Sequence, residues 1–191
     1  MEYDYRKIAA IKKRKLIPYL FCIFIVVHVA ANIGRNPNVN DPQLDEKVLA
    51  FKKSGVGKKI STDNYDIDGI IEYAESLLGT PHRMGGYSTA ALDCSGMVKL
   101  AHAQFDVELP HSSHEQARYG TILSPDEELE RGDLVFFHST YSTPKLITHS
   151  GIYLGDNKFI HTSTSRGVSI SALLNSGYWQ DHYLFATRLD D

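Results

Sequence analysis

The stretch Ile147-Thr148-His149-Ser150-Gly151-Ile152-Tyr153-Leu154-Gly155-Asp156-Asn157-Lys158-Phe159-Ile160-His161 decides the fold class. Apolar side chains recur with a period of two on either side of Gly155-Asp156-Asn157, which predicts two strands joined by a tight turn. Gly155 tolerates the left-handed backbone that a three-residue hairpin loop needs. Such a loop pairs Leu154 with Lys158 and Gly151 with His161. His149 then shares a face with His161, one diagonal step away, roughly 7–8 Å at the backbone and within reach for imidazoles that lean together. A two-residue loop would send the histidines to opposite faces.

Working outward, the period of two predicts strands at 133–138, 147–154, 158–161, 168–170 and 183–188. Upstream the period is helical. Ile70, Ile71, Ala74, Leu77 and Leu78 form one apolar stripe, with Asp66 or Asp68 as the cap and Gly79 as the stop. A second helix fits Cys94 to Phe105, with Met97, Val98, Ala101 and Phe105 on one face and Asp93 at its cap. Ser112-Ser113-His114-Glu115 reads as a capping box opening a third short helix that ends near Gly120. Helices first and strands afterwards predict an α+β domain with an antiparallel sheet.

The 191 residues leave room for one such domain and a tail. With 42% hydrophobic and 23% charged residues, the composition excludes a disordered chain, a collagen-like repeat and a multi-pass membrane protein. A net charge of −3 gives no reason to expect nucleic acid. That charge is unevenly spread. Residues 1–34 carry +4, with Arg6, Lys7, Lys12, Lys13, Arg14 and Lys15 ahead of an apolar run at 16–31, so they read as a signal peptide or an uncleaved signal-anchor. If uncleaved, residues 16–31 would contact the membrane. Cys22 lies inside this run with no small residue before it, unlike a lipoprotein acylation site. Residues 35–62, at +3, read as a mobile tether with at most one short helix. Residues 63–191, at −10, form the folded domain.

Cys22 and Cys94 are the only cysteines, too few for a disulfide scaffold. An unpaired Cys94 in an exported domain calls for an explanation. At a helix start, first-turn N–H groups and the macrodipole favour thiolate and lower its pKa, making a nucleophile. His149 and His161 on one sheet face could supply a base and the group that orients it. The alternative is a buried structural cysteine with two incidental histidines.

Several ordered motifs bear on this choice: Asp93-Cys94-Ser95-Gly96, Arg131-Gly132-Asp133-Leu134-Val135-Phe136-Phe137, His149-Ser150-Gly151-Ile152-Tyr153-Leu154-Gly155 and Phe159-Ile160-His161-Thr162-Ser163. Together with Leu109-Pro110-His111-Ser112-Ser113 and Gln116, they resemble the NlpC-type papain-like cysteine peptidases of bacterial cell walls, over about residues 65–189. The resemblance implies a papain-like fold in which the nucleophile helix packs on an antiparallel sheet. It also implies hydrolysis of peptidoglycan stem peptides at bonds involving D-amino acids, commonly D-glutamyl–diaminopimelate, in the cell envelope. By the same match Cys94 is the nucleophile, His149 the general base and acid, and His161 the residue orienting His149. The backbone N–H of Cys94 would help hold the oxyanion. Asp93, Ser95 and Ser113 align with positions that line the substrate cleft, and Arg83 is grouped with them as a substrate contact. For Asp93 and Ser95, helix capping is the competing role.

One departure concerns the oxyanion. The family usually has a tyrosine before the Gly-Gly pair, where this chain has His82 in Pro81-His82-Arg83-Met84-Gly85-Gly86; Tyr87 is another source of a hydroxyl. His111, at a place where the family often has arginine, is assigned with His102, His114, His138 and His182 to surface or packing roles. No cofactor and no metal is expected, and the protein is expected to be a monomer. Two other classes stay open: a zinc hydrolase with Cys94, His149 and His161 as ligands, against which the lack of a close-spaced ligand pair counts, and a catalytically inactive cell-wall binding module.

Overall fold

A computed structural model describes residues 41–61, 65–123 and 127–189. The leader at 1–34, its apolar run included, lies outside the described residues. In chain order the elements are α1 (Pro42–Lys53), α2 (Ile67–Ser76), β1 (Tyr87–Ser88), β2 (Ala91–Leu92), α3 (Cys94–Ala103), α4 (Ser113–Gln116), β3 (Thr121–Ile122), β4 (Leu134–Phe137), β5 (His149–Gly155), β6 (Lys158–Ser163), β7 (Gly167–Ala172), α5 (Tyr178–His182) and β8 (Tyr183–Arg188). No helix among the described residues is long and apolar enough to cross a membrane.

The order β3-β8-β4-β5-β6-β7 makes one six-stranded sheet, antiparallel at every pairing. Its middle is buried on both faces. All four side chains of β4 are inaccessible, yet Leu134 and Phe136 join the core shared with the helices while Val135 and Phe137 join a second cluster on the other face. The period of two splits them in this way. On the helix side, Ile70, Ile71 and Ala74 of α2 and Met97, Val98 and Ala101 of α3 pack over Phe136, Ile152 and Ile160. At the far end Asp133, only 2% exposed, accepts from Arg188 Nε and Nη2 at 2.9 and 2.8 Å and pins the start of β4 to the end of β8.

The β5–β6 hairpin reaches the expected face assignment by a different route. The loop is two residues, Asp156 and Asn157, both left-handed with φ of 50° and 60°, and Gly155 pairs with Lys158. That loop alone would invert the face of every residue behind it. A bulge between Tyr153 and Gly155 takes up Leu154 as an extra residue, so Tyr153 pairs with Phe159 and Ile152 with Ile160. His149 and His161 therefore share a face after all.

The helices differ from expectation at two points. Ser112 caps α4 without any side-chain bond, and α4 is a single turn. The capping-box reading fails because the Ser112 side chain makes no cap bond and Glu115 is paired with Arg118. In the stretch read as a mobile tether, the described part holds α1, capped by Asp41 and docked on the domain. Its Phe51 is 5% exposed, lies 5.0 Å from the His114 ring and carries the Arg118 guanidinium 4.7 Å above its face. Sparse apolar residues hid this anchor, because α1 buries only Leu44 and Phe51.

Candidate active site

Cys94 opens α3, and the residue before it organises the site. Asp93 Oδ1 accepts from the Gly96 N–H at 2.7 Å and from Ser95 Oγ at 3.0 Å, and it lies 3.0 Å from His111 Nε2. Its Oδ2 accepts from the Gly85 N–H at 2.8 Å. One carboxylate therefore caps the helix, aims His111 and ties down the turn that carries His82. Gly96 permits the approach: a Cβ there would come within 2.1 Å of the Gly86 carbonyl oxygen. Thr162 Oγ1 donates to the Asp93 carbonyl at 3.2 Å and fastens the helix start to β6.

The thiol of Cys94 is half-buried and lies 3.4 Å from Ser113 Oγ. Hydrogen-bond accounting constrains that hydroxyl. Gln116 Nε2 donates to the carbonyls of Ser95 and Pro110 at 2.8 and 2.9 Å, so its Oε1 is an acceptor. Ser150 Oγ, 2.9 Å from that Oε1 and 3.1 Å from Ser113 Oγ, gives its single proton to Gln116. Ser150 Oγ and the Cys94 sulfur are then the two acceptors within reach of the Ser113 proton. The helix start does not lower the thiol pKa as expected. Burial pushes it up and the Asp93 charge adds to this, against the Ser113 hydroxyl and the backbone N–H groups of Ser150 and Ser95.

His149 begins β5, next to Ser150, and lines the same cleft as Cys94. Its Nε2 lies 3.0 Å from His161 Nδ1. His161, fully buried behind it, places Nε2 3.0 Å from Ser171 Oγ, which also accepts from Arg166 Nη2 at 3.0 Å. Arginine only donates. When Ser171 accepts from both neighbours, His161 carries its proton on Nε2 and accepts at Nδ1 from His149 Nε2–H. The Nδ1 of His149 is then a bare lone pair. Gly151 makes room for this pair, since a Cβ there would sit 3.2 Å from His161 Cβ and 2.7 Å from the Ile160 oxygen. Trp179 covers both rings, stacked on His149 at 5.0 Å and edge-on to His161 at 4.6 Å. Burial pushes His149 down to about 3, with His82 adding to the effect and Asp93 opposing it. Burial, then His149 and Arg166, push His161 down to about 2. Both imidazoles are neutral at pH 7.

Cys94, His149, His82, Asp93, Ser95 and Ser113 all line one cleft of about 680 Å³, and His161 stands behind it. Arg83 does not join them. It is exposed and outside the cleft wall, because His82 and Met84 on either side take the cleft-facing positions. His111 and His114, assigned to surface or packing, both line the cleft. His102 is a packing residue, with Nδ1 donating to the Val98 carbonyl at 2.8 Å. The sequence reading missed Trp179, Ser171 and Arg166. Trp179 is the single tryptophan; Ser171 is the diagonal neighbour of His161, which pairs with Ser169.

The zinc arrangement has no geometric support. The nitrogens with which the two imidazoles face each other are bonded to one another, and no group of three histidine, cysteine or acidic residues among the described residues could hold a metal ion.

The sequence profile of the NlpC/P60 family matches residues 79–188. The chain is 43% identical over 124 residues to the "Probable endopeptidase NlpC" of Escherichia coli, covering 64% of this chain and 78% of that protein. It is 35% identical over 121 residues to the "Gamma-DL-glutamyl hydrolase" of Bacillus subtilis, covering 63% of this chain but only 29% of that protein. Among solved structures, an NlpC/P60 family protein from Bacillus cereus superposes with a TM-score of 0.59 at 29% identity, covering 67% of this chain and 41% of that one. The α+β fold is thus the papain-like one. This chain belongs to the NlpC/P60 family.

Proposed function

We propose that the protein is an exported cysteine endopeptidase that cuts peptidoglycan stem peptides at bonds involving D-amino acids, with D-glutamyl–diaminopimelate the leading candidate. The family supports a hydrolase acting on the cell wall, in line with the relatives' names, an endopeptidase and a γ-glutamyl hydrolase. The observation that carries the reading is the His149–His161 bond behind a half-buried thiol in an open cleft. An exported location rests on the basic flank and apolar run of residues 1–34.

The chemistry follows from the protonation states. A neutral thiol beside a neutral imidazole starts the reaction as general-base catalysis rather than from a preformed ion pair. As Sγ attacks the scissile carbonyl, the thiol proton passes to Nδ1 of His149. His161 accepts the Nε2–H and stabilises the imidazolium. The oxyanion is met by the Cys94 N–H, with His82 on the cleft wall as a second donor. His149 returns the proton to the leaving amine, the C–N bond breaks and a thioester remains. Water, deprotonated by His149, hydrolyses the thioester and regenerates the thiol.

Alkylation of the purified protein with iodoacetamide, set against treatment with a chelator, tests the assignment. Hydrolysis of a γ-D-glutamyl–diaminopimelate peptide should be lost on alkylation and survive chelation. Loss on chelation alone would overturn the cysteine mechanism.

A further inference from the structure

A second cavity, of about 580 Å³, lies between α1 and the 138–146 loop. Leu44, Lys47, Phe51 and Ser54 wall one side, at spacings of three and four that put them on a single face of the helix. His138 and Lys145 belong to the other side. His114 and Lys145 line both this cavity and the catalytic cleft, so the two spaces adjoin. The α1 wall comes from outside residues 79–188, the stretch that carries the family match. It is held in place before any ligand arrives: Phe51 is buried, and Arg118 Nη1 donates to Ser54 Oγ at 2.9 Å and to the Gly55 carbonyl at 2.8 Å.

The lining has a definite chemistry. It includes two lysines and two histidines and no carboxylate. With no carboxylate to neutralise them, the lysines select for negative charge. A γ-linked D-glutamyl–diaminopimelate unit keeps free carboxylates beside the scissile bond. We propose that α1 completes a carboxylate-accepting subsite, in which Lys47 and Lys145 hold an acidic arm of the peptide whose scissile bond lies at Cys94. This rests on the hydrolase reading above and names what selects its substrate.

The test uses the full chain and two synthetic stem peptides, one with free side-arm carboxylates and one with those carboxylates amidated. Lys47 is exposed and alanine is a strong helix former, so Lys47→Ala retains the fold. The variant should raise KM for the free acid roughly five- to tenfold, hold kcat within about twofold and leave the amidated peptide unaffected; Lys47→Arg should restore the wild-type KM. Calorimetric binding of the free-acid peptide to Cys94→Ser, with and without Lys47→Ala, reads the same subsite without turnover. Equal KM or equal binding with and without Lys47 would overturn the subsite. Lys47-dependent binding with no cleavage by the wild type would uphold the subsite and overturn the hydrolase reading.

Discussion

His149 and His161 face each other from adjacent strands at 3.0 Å, with the remaining nitrogen of His161 held by Ser171 at the same distance. Because Arg166 donates to that same hydroxyl, Ser171 is best used as an acceptor from His161. The chain Arg166–Ser171–His161 thus acts on the tautomer of His149 from outside the cleft, as positioning rather than as chemistry. Ser171→Ala is expected to lower kcat roughly tenfold, a part of the 10²–10⁴ that a general base supplies, with KM changed by less than about twofold. Ser171→Thr, which keeps the hydroxyl, should recover most of the rate. Steady-state kinetics on both variants checks this, and a KM effect without a kcat effect would count against it.

The pH–rate profile follows from the burial of the two reacting groups. His149, pushed down to about 3, stays unprotonated and able to act as a base well below the usual imidazole range. The thiol, pushed up by burial, stays protonated through neutral pH. We expect kcat/KM to be flat from about pH 5 to pH 8, with no inflection near 6.5. An acid limb centred near 6.5 would show that His149 titrates as a solvated imidazole.

His102 supplies an acid-stability prediction independent of the reaction. It is fully buried in α3 and pushed down to about 4 by burial, its bond to Val98 only partly opposing this. The unfolded chain takes up the proton near 6.5 while the folded one resists to about 4, so the unfolded state binds more protons between those values. Stability is fully present above about 6.5 and is lost as pH falls toward 4, by about 3 kcal/mol from this residue at roughly 1.4 kcal/mol per unit. Urea unfolding at pH 7 and pH 5 should show the decline, and His102→Phe should make it shallower.

His82 stands on the cleft wall with Cys94 and His149. It belongs to a turn held by Asp93 through Gly85 rather than by its own side chain. His82→Ala should therefore lower kcat more than about tenfold while the unfolding midpoint barely moves. Unchanged turnover would remove His82 from the mechanism.

Much of this was legible in the sequence because single residues carry strong local rules. Asp93 before an apolar stripe marked the start of α3, and its side chain does cap Gly96. The strands from β4 onward followed from alternation. The hairpin shows where such reading stops: Gly155 announced a turn, but only the structure shows that a two-residue loop and a bulge at Leu154 combine to keep His149 and His161 on one face. That His111 lines the cleft and Arg83 does not was hidden for a similar reason. Whether a polar residue on a loop faces a cleft depends on tertiary contacts such as the 3.0 Å bond from His111 to Asp93, and no local periodicity encodes them. Trp179 lies on the short helix α5, whose packing over the histidines has no sequence pattern of its own.

The central claim is that Cys94 is a nucleophile acting on the wall peptide. Incubating the purified protein and its Cys94→Ser variant with intact peptidoglycan, and identifying the released muropeptides by mass spectrometry, tests it most directly. New fragments ending at the D-glutamyl residue are expected with the wild type and none with Cys94→Ser. Identical fragment profiles from the two proteins would contradict it.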